Sequence, residues 1–277
     1  MSLQTFEKKK DYLICCDSDG CAMDTMNIKH FNCFGPCMVE EWGLEQWKDA
    51  ILDRWNVINL FSRSRGINRF KGLAIALREI DGQYKHIEGI EDLEKFVAES
   101  PELSNSAIEK AIAQKDSVCL RKALAWSKAL NAKINTLSMD DKKPFPGVKE
   151  ALAYAQTFAD VVIVSSANYQ AVVDEWDYYH LLDHVDEILA QDAGSKAYCI
   201  AELLKKGYDP AKVMMCGDAP GDKSAALKNG VYYYPILVRK EAESWANFAA
   251  AADQLKAGTF GGAAQDALIA AFDDNLK

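Results

Sequence analysis

Short, continuously apolar runs mark the chain at wide intervals. Three of them, YLICC ending at Cys16, VVIV ending at Val164 and VMMC ending at Cys216, have the length and composition of strands buried on both faces. A weaker run around Ile188 and a later one from Val231 would complete a sheet of about five strands. The pattern predicts a buried, mostly parallel sheet.

Helical periodicity fills the intervals between these runs in the C-terminal half. Apolar residues recur at helical spacing over residues 148–158, just before the second run, and over residues 197–204, where Gly207 follows as a stop signal. Strand and helix therefore alternate along the chain. Such alternation is typical of an α/β fold with a parallel sheet.

The stretch from about residue 24 to residue 143 has a different character. It shows helical periodicity over residues 90–97, 108–112 and 120–130, it contains four tryptophans, and it has no convincing strand. It ends in DDKKPFPG, where charges and two prolines punctuate the chain. We expect a helical domain inserted directly after the first strand.

Composition narrows the class of function. A net charge of -9 argues against a protein that mainly grips nucleic acid, and no apolar run approaches the roughly 20 residues needed to cross a bilayer. The N-terminal segment has no apolar signal region, and eight cysteines in a chain of 277 residues do not suggest a disulfide framework. These features predict a cytoplasmic protein with no membrane or nucleic-acid partner.

Polar residues follow the predicted strands. Asp17-Ser18-Asp19-Gly20 follows the first run, Ser165-Ser166 the second, and GDAPGD, which contains Asp218 and Asp222, the fourth; Lys196 opens a helix after the third. The carboxyl edge of an open α/β sheet is where ligands bind. Four carboxylates, a hydroxyl and an ammonium group are thus expected to converge there.

This set of side chains has a chemical logic. Clustered carboxylates resist ionisation unless a cation compensates them, and oxygen-only ligands suit a hard ion such as Mg²⁺. A lysine and a serine hydroxyl are suited to holding the oxygens of a phosphoryl group. The sequence therefore predicts a magnesium-dependent site for a phosphorylated ligand.

The same residues, in the same order, resemble four motifs of the haloacid dehalogenase-like hydrolase superfamily. The first stands as DSDGCAMDT, with Cys21 in place of the usual threonine; the others are Ser165 in VVIVSSAN, Lys196 in AGSKAYCIAELL, and GDAPGD. PFPGVKEALAYA resembles the segment by which the chain re-enters the core in the first cap class. Ala197 departs from the proline that commonly follows the lysine.

The resemblance implies a domain organisation. Residues 1–26 and 144–277 would form a Rossmann-like, doubly wound parallel sheet with a C-terminal helical extension. Residues 27–143 would form a mostly α-helical cap domain.

The resemblance also implies roles for the site residues. Asp17 resembles the nucleophile, which forms a phospho-enzyme, and Asp19 resembles the general acid/base. An aspartate at position 19 favours phosphomonoester chemistry over carbon–halogen cleavage, which has no alkoxide to protonate. The phosphoryl group would be bound by Lys196 and Ser165, with Ser166 as the reserve choice.

The metal ligands follow from the same motifs. Asp17 and Asp218 would supply carboxylate oxygens and Asp19 its backbone carbonyl. Asp222 has three open roles, as a further ligand, a residue behind the ligands, or a partner of Lys196.

Three other functions remain open at this stage. A sugar phosphomutase would keep the same aspartates but return the phosphoryl group to its substrate, and a catalytically silent domain would serve only as a binding module. A phosphonate-cleaving enzyme is disfavoured because it usually lacks the second aspartate. The leading prediction is a phosphatase for a small phosphorylated metabolite, with its oligomeric state left open.

A basic segment stands out within the predicted cap. FSRSRGINRFKGL carries Arg63, Arg65, Arg69 and Lys71 in an otherwise acidic protein. Arginine can grip a carboxylate or phosphate through two hydrogen bonds, so the segment could select substrates with a second anionic group. The alternative is an ordinary solvated surface.

Overall fold

The computed structural model describes residues 3–277, which divide into two compact units. Residues up to Met26 together with Met139–Lys277 form the first, here called the sheet unit; Asn27–Ser138 form the second, the helical unit. Each unit has its own cluster of buried apolar side chains.

The sheet unit is built on five parallel strands in the order β3-β2-β1-β4-β5. The predicted α/β class is therefore confirmed. The strands are β1 Tyr12–Cys16, β2 Ala159–Val164, β3 Glu187–Leu189, β4 Val213–Gly217 and β5 Tyr232–Pro235.

The central position belongs to β1, the first strand in the sequence. Cys16 pairs with Ile163 of β2 on one side and with Cys216 of β4 on the other. Only Tyr12 in this strand is not fully buried, as expected for a strand covered on both faces. The carboxyl ends of β2, β1 and β4 consequently lie side by side.

Helices follow each strand of the sheet unit. They are α8 Val148–Gln156, α9 Tyr169–Tyr178, α10 Lys196–Leu204, α11 Pro220–Lys228, α12 Glu241–Ala246, α13 Phe248–Ala257 and α14 Ala263–Asn275. The start of α10 is determined by Ser195, whose side chain accepts a hydrogen bond from the backbone N–H of Tyr198. This cap places Lys196 at the first helical position.

The helical unit contains no strand in the part of the chain that the structure describes. Its helices are α1 Met26–Lys29, which begins at the boundary, α2 Gly35–Trp42, α3 Lys48–Leu60, α4 Arg69–Gln83, α5 Ile90–Glu99, α6 Asn105–Gln114 and α7 Val118–Ile134, with a π-helical turn at His30–Phe34. Aromatic rings dominate its core, where Trp126 makes edge contacts with Trp55, Phe70 and Phe34. Among residues 3–277, no helix is both long and apolar enough to span a membrane.

The return to the sheet unit comes earlier than the predicted boundary at residue 143. Residues 139–143 belong to the sheet unit, because Met139 and Asp140 accept hydrogen bonds from the hydroxyls of Tyr179 and Tyr178. The two prolines of the linker lie a few residues further on.

Candidate active site

The loop after β1 (residues 17–25, here called the β1 loop) presents Asp17 at the carboxyl edge of the sheet. The backbone N–H of Asp17 donates to the carbonyl of Cys216, 3.0 Å away, which continues the β1–β4 ladder by one residue. Its carboxylate accepts from the N–H of Ser18 at 2.8 Å, and the residue is only 5% exposed. One carboxylate oxygen is thereby oriented by the backbone of the β1 loop.

The β1 loop closes on itself directly after Asp17. The carbonyl of Ser18 accepts from the N–H groups of Ala22 and Met23, and Gly20 adopts a φ of 81°, a conformation that favours glycine. The hydroxyl of Thr25 donates to the carboxylate of Asp19 at 2.5 Å. Asp17 and Asp19 are therefore held in one tight turn.

Strand β4 delivers two more carboxylates. Asp218 and Asp222 are fully buried, and Asp222 accepts from the backbone N–H of Ala219 at 3.0 Å at the start of α11. A Cβ atom on Gly217 would lie 2.3 Å from the Cβ atom of Asp222. Glycine is required here because Asp222 packs directly against the end of the strand.

Lys196 joins these carboxylates. Its Nζ atom lies 2.7 Å from Asp17 Oδ2 and 2.5 Å from Asp222 Oδ1. Burial alone would lower the pKa of Lys196, but the carboxylates of Asp17 and Asp222 outweigh it and raise that pKa above its ordinary value. The two carboxylates therefore favour the charged form of Lys196, and Asp222 is its second partner.

The remaining question is whether the cluster fits a metal ion. Oxygen atoms of Asp17, Asp218 and Asp222 lie within 4.8 Å of one another, and all three residues are buried. Burial raises the pKa of Asp17 to about 8, with Asp222 and Asp218 adding to the shift and Lys196 opposing it. One ammonium group thus does not compensate three buried carboxylates, and a divalent cation fits this oxygen-only set.

The two serines after β2 differ in exposure. Ser165 is buried, donates its backbone N–H to the carbonyl of Leu189 at 2.9 Å, and accepts from the N–H of Ala167 through its hydroxyl. Ser166 is exposed. Ser165 stands at the carboxyl end of the strand next to β1.

The basic segment of the helical unit is not a uniform cation patch. Arg65 is only 2% exposed and donates to the carbonyl of Leu60 at 2.8 Å. Arg69 donates to Ser127 and Asn131. Arg63 and Lys71 are exposed. Two of the four cations are therefore engaged within the helical unit.

Comparison with known proteins identifies the family of the chain. The family described as haloacid dehalogenase-like hydrolase matches residues 83–235, more than half of the chain. The chain belongs to this family. The match includes Ser165, Lys196, Asp218 and Asp222 but begins after the β1 loop.

Solved structures share the fold of this haloacid dehalogenase-like hydrolase. A family member from Xanthomonas campestris is 15% identical, with a TM-score of 0.51 over 92% of this chain and 96% of that one. A proposed phosphoglycolate phosphatase from Lactobacillus delbrueckii subsp. bulgaricus is also 15% identical, with a TM-score of 0.50 over 81% and 85%. No curated protein gives a significant sequence match.

Three side chains around this hydrolase site were not singled out by their sequence. Trp176 and Trp245 donate to the β1 loop, and the hydroxyl of Tyr233 donates to the carbonyl of Gly217 at 2.9 Å. The available sequence signal was the apolar periodicity around these residues, which indicates that their rings are buried.

Proposed function

We propose that this protein is a magnesium-dependent phosphatase that hydrolyses a small phosphorylated metabolite through a covalent aspartyl-phosphate on Asp17. The observation that carries the proposal is the buried cluster of Asp17, Asp218 and Asp222 with Lys196 bonded to two of its members. Such a cluster, at the carboxyl edge of the sheet, suits a phosphoryl group and a hard cation.

The first half-reaction transfers the phosphoryl group to the enzyme. A carboxylate oxygen of Asp17 attacks phosphorus, and the bond between phosphorus and the alcohol oxygen breaks. Asp19 donates a proton to that departing oxygen, and its neighbour Thr25 orients the carboxyl group. Lys196 and Ser165 hold the non-bridging oxygens, with Ser166 as the reserve choice.

The second half-reaction restores the enzyme. Asp19, now a carboxylate, accepts a proton from a water molecule, and the oxygen of that water attacks phosphorus. The bond between phosphorus and the Asp17 oxygen breaks, which releases inorganic phosphate. Bound Mg²⁺, held by Asp17, Asp218 and the carbonyl of Asp19, would neutralise the clustered negative charge. Asp222 would act chiefly by holding Lys196, since its two oxygens accept from Lys196 and from Ala219.

A panel of phosphate monoesters, assayed for phosphate release with Mg²⁺ and with EDTA, tests the proposal. We expect turnover that disappears with EDTA and returns with Mg²⁺. Slow net release together with a need for a bisphosphate activator would favour a phosphomutase instead. No hydrolysis of any ester with Mg²⁺ present would favour a silent binding module.

The substrate class rests on the site alone. A buried site around one phosphoryl group suits a small metabolite rather than a macromolecule. The cytoplasmic location expected from the sequence stays a prediction. Selection of a second anionic group by the basic segment, with Arg63, Arg65, Arg69 and Lys71, also stays a prediction.

A further inference from the structure

Two buried indole groups donate to the β1 loop. Trp176 Nε1 lies 2.8 Å from the hydroxyl oxygen of Ser18, and Trp245 Nε1 lies 2.9 Å from the carbonyl oxygen of Cys21. Both indoles and both acceptor residues are buried. The two bonds bracket residues 18–21, the tight turn that contains Asp19 and directly follows Asp17.

The donors come from elements far along the chain. Trp176 lies on α9, 158 residues after Ser18, and Trp245 lies on α12, 224 residues after Cys21. The turn is closed by its own backbone at Ser18, whose carbonyl accepts from Ala22 and Met23. The Ser18 hydroxyl and the Cys21 carbonyl instead accept from the two indoles. The indole bonds therefore add an anchor between the β1 loop and the rest of the sheet unit.

The anchored atoms are adjacent to the reacting groups. Ser18 stands between Asp17 and Asp19, and its own N–H orients the Asp17 carboxylate at 2.8 Å. Rotation of the Ser18 backbone would redirect that N–H and the Asp19 side chain together. Small misplacements of this kind lower the rate of a positioned reaction steeply.

We propose that Trp176 and Trp245 are positioning residues that hold the β1 loop in its reactive conformation through their indole N–H groups. The inference rests on the proposed phosphatase function. It differs from a packing role, which would depend on the ring and not on the N–H.

The central test separates the N–H group from the ring. Trp176→Phe removes the donor, Ser18→Ala removes the acceptor without touching the indole, and the double variant removes both. With p-nitrophenyl phosphate and saturating Mg²⁺, we expect each single variant to lose about 10- to 100-fold in kcat with KM nearly unchanged. The double variant should lose no more than either single variant, because one bond is shared.

A second readout does not depend on turnover. The indole N–H signal of Trp176, assigned from its absence in Trp176→Phe, should shift in the proton NMR spectrum of Ser18→Ala. An unshifted signal would overturn the hydrogen bond and the proposal.

A matched control exists in the helical unit. Trp126 is fully buried, and its indole donates to the carbonyl of Phe34 at 3.1 Å, the same type of bond that Trp245 makes. Trp126→Phe should lower the melting temperature with kcat nearly unchanged, whereas Trp245→Phe should lower kcat. If Trp176→Phe, Trp245→Phe and Ser18→Ala all lower only the melting temperature, the positioning role is overturned while the phosphatase function stands. An inactive wild-type protein would overturn both.

Discussion

The two units of this hydrolase bury polar groups in opposite ways. In the helical unit, two buried polar side chains bond to nearby neutral backbone: Asn59 donates to the carbonyl of Trp55, and Arg65 to that of Leu60. In the sheet unit, the buried carboxylates of Asp17, Asp218 and Asp222 are gathered around a lysine.

The two kinds of buried polar group have different consequences for stability and for reactivity. A buried polar group that is hydrogen-bonded to a carbonyl makes a modest net contribution to the stability of the fold. Several buried carboxylates in one place are unfavourable without a compensating cation. The sheet unit therefore concentrates negative charge that a bound divalent cation would compensate. Among its described residues, the helical unit has no such cluster of buried carboxylates.

Among the substitutions in the sheet unit, Asp17→Asn should cause the largest loss of activity. An amide cannot form the phospho-enzyme, so we expect phosphate release to fall by about 10⁴-fold or more. A phosphate-release assay measures the loss of turnover, and intact-protein mass spectrometry measures the loss of the phospho-enzyme. Asp177→Asn, at an exposed position on α9, is the control. Substantial turnover by Asp17→Asn would rule out the covalent route.

Lys196→Met should have the next largest effect. Lys196 opposes the upward shift in the pKa of Asp17, so its removal raises that pKa further and leaves less ionised nucleophile. We expect kcat/KM to fall roughly 10²- to 10³-fold, with the acidic limb of the pH–rate profile displaced to higher pH. An unmoved acidic limb would show that Lys196 does not control the ionisation of Asp17.

Gly217→Ala tests how closely the sheet must pack to assemble the cluster. The new Cβ would lie 2.3 Å from that of Asp222 and must push it, and with it Lys196, away. We expect about a 10-fold loss of kcat. Gly221→Ala, in the first turn of α11, is the matched control, because a Cβ atom at this position would have no neighbouring atom within 4 Å. Equal activity of both variants would show that the position of Asp222 is not critical.

Arg65→Ala should have the smallest catalytic effect. Loss of its bond to Leu60 is expected to reduce the free energy of unfolding by about 1.5–3 kcal/mol, measured by urea denaturation. Arg63→Ala, at an exposed position, should change it by less than about 0.5 kcal/mol. A loss of kcat/KM for Arg65→Ala confined to esters with a second anionic group would instead assign Arg65 to substrate selection.

The strands were predictable because most of their residues are buried and apolar. All five predicted runs contain a strand, although the run around Ile188 yields only Glu187–Leu189. The π-helical turn at His30–Phe34 was not predicted, because its residues fit an ordinary helical pattern equally well. The earlier boundary at Ser138 depends on tyrosine contacts that periodicity does not encode.

The candidate site was predictable as a set of residues but not as a set of distances. The order of the four motifs brought Asp17, Lys196 and Asp222 to one edge, and the structure adds that Lys196 bonds to both aspartates. Ala197, in place of a proline, does not displace the lysine because Ser195 starts the helix. The indole hydrogen bonds of Trp176 and Trp245 join residues that are far apart in the sequence, so no local pattern predicts them.

The central place of β1 has a consequence for biosynthesis. This strand is synthesised well before both of its neighbours, β2 Ala159–Val164 and β4 Val213–Gly217. The helical unit is contiguous and can begin to condense while the first strand still waits for its partners. We therefore expect the apolar nascent segment YLICC to depend on chaperone protection until Gly217, the last residue of β4, has been translated.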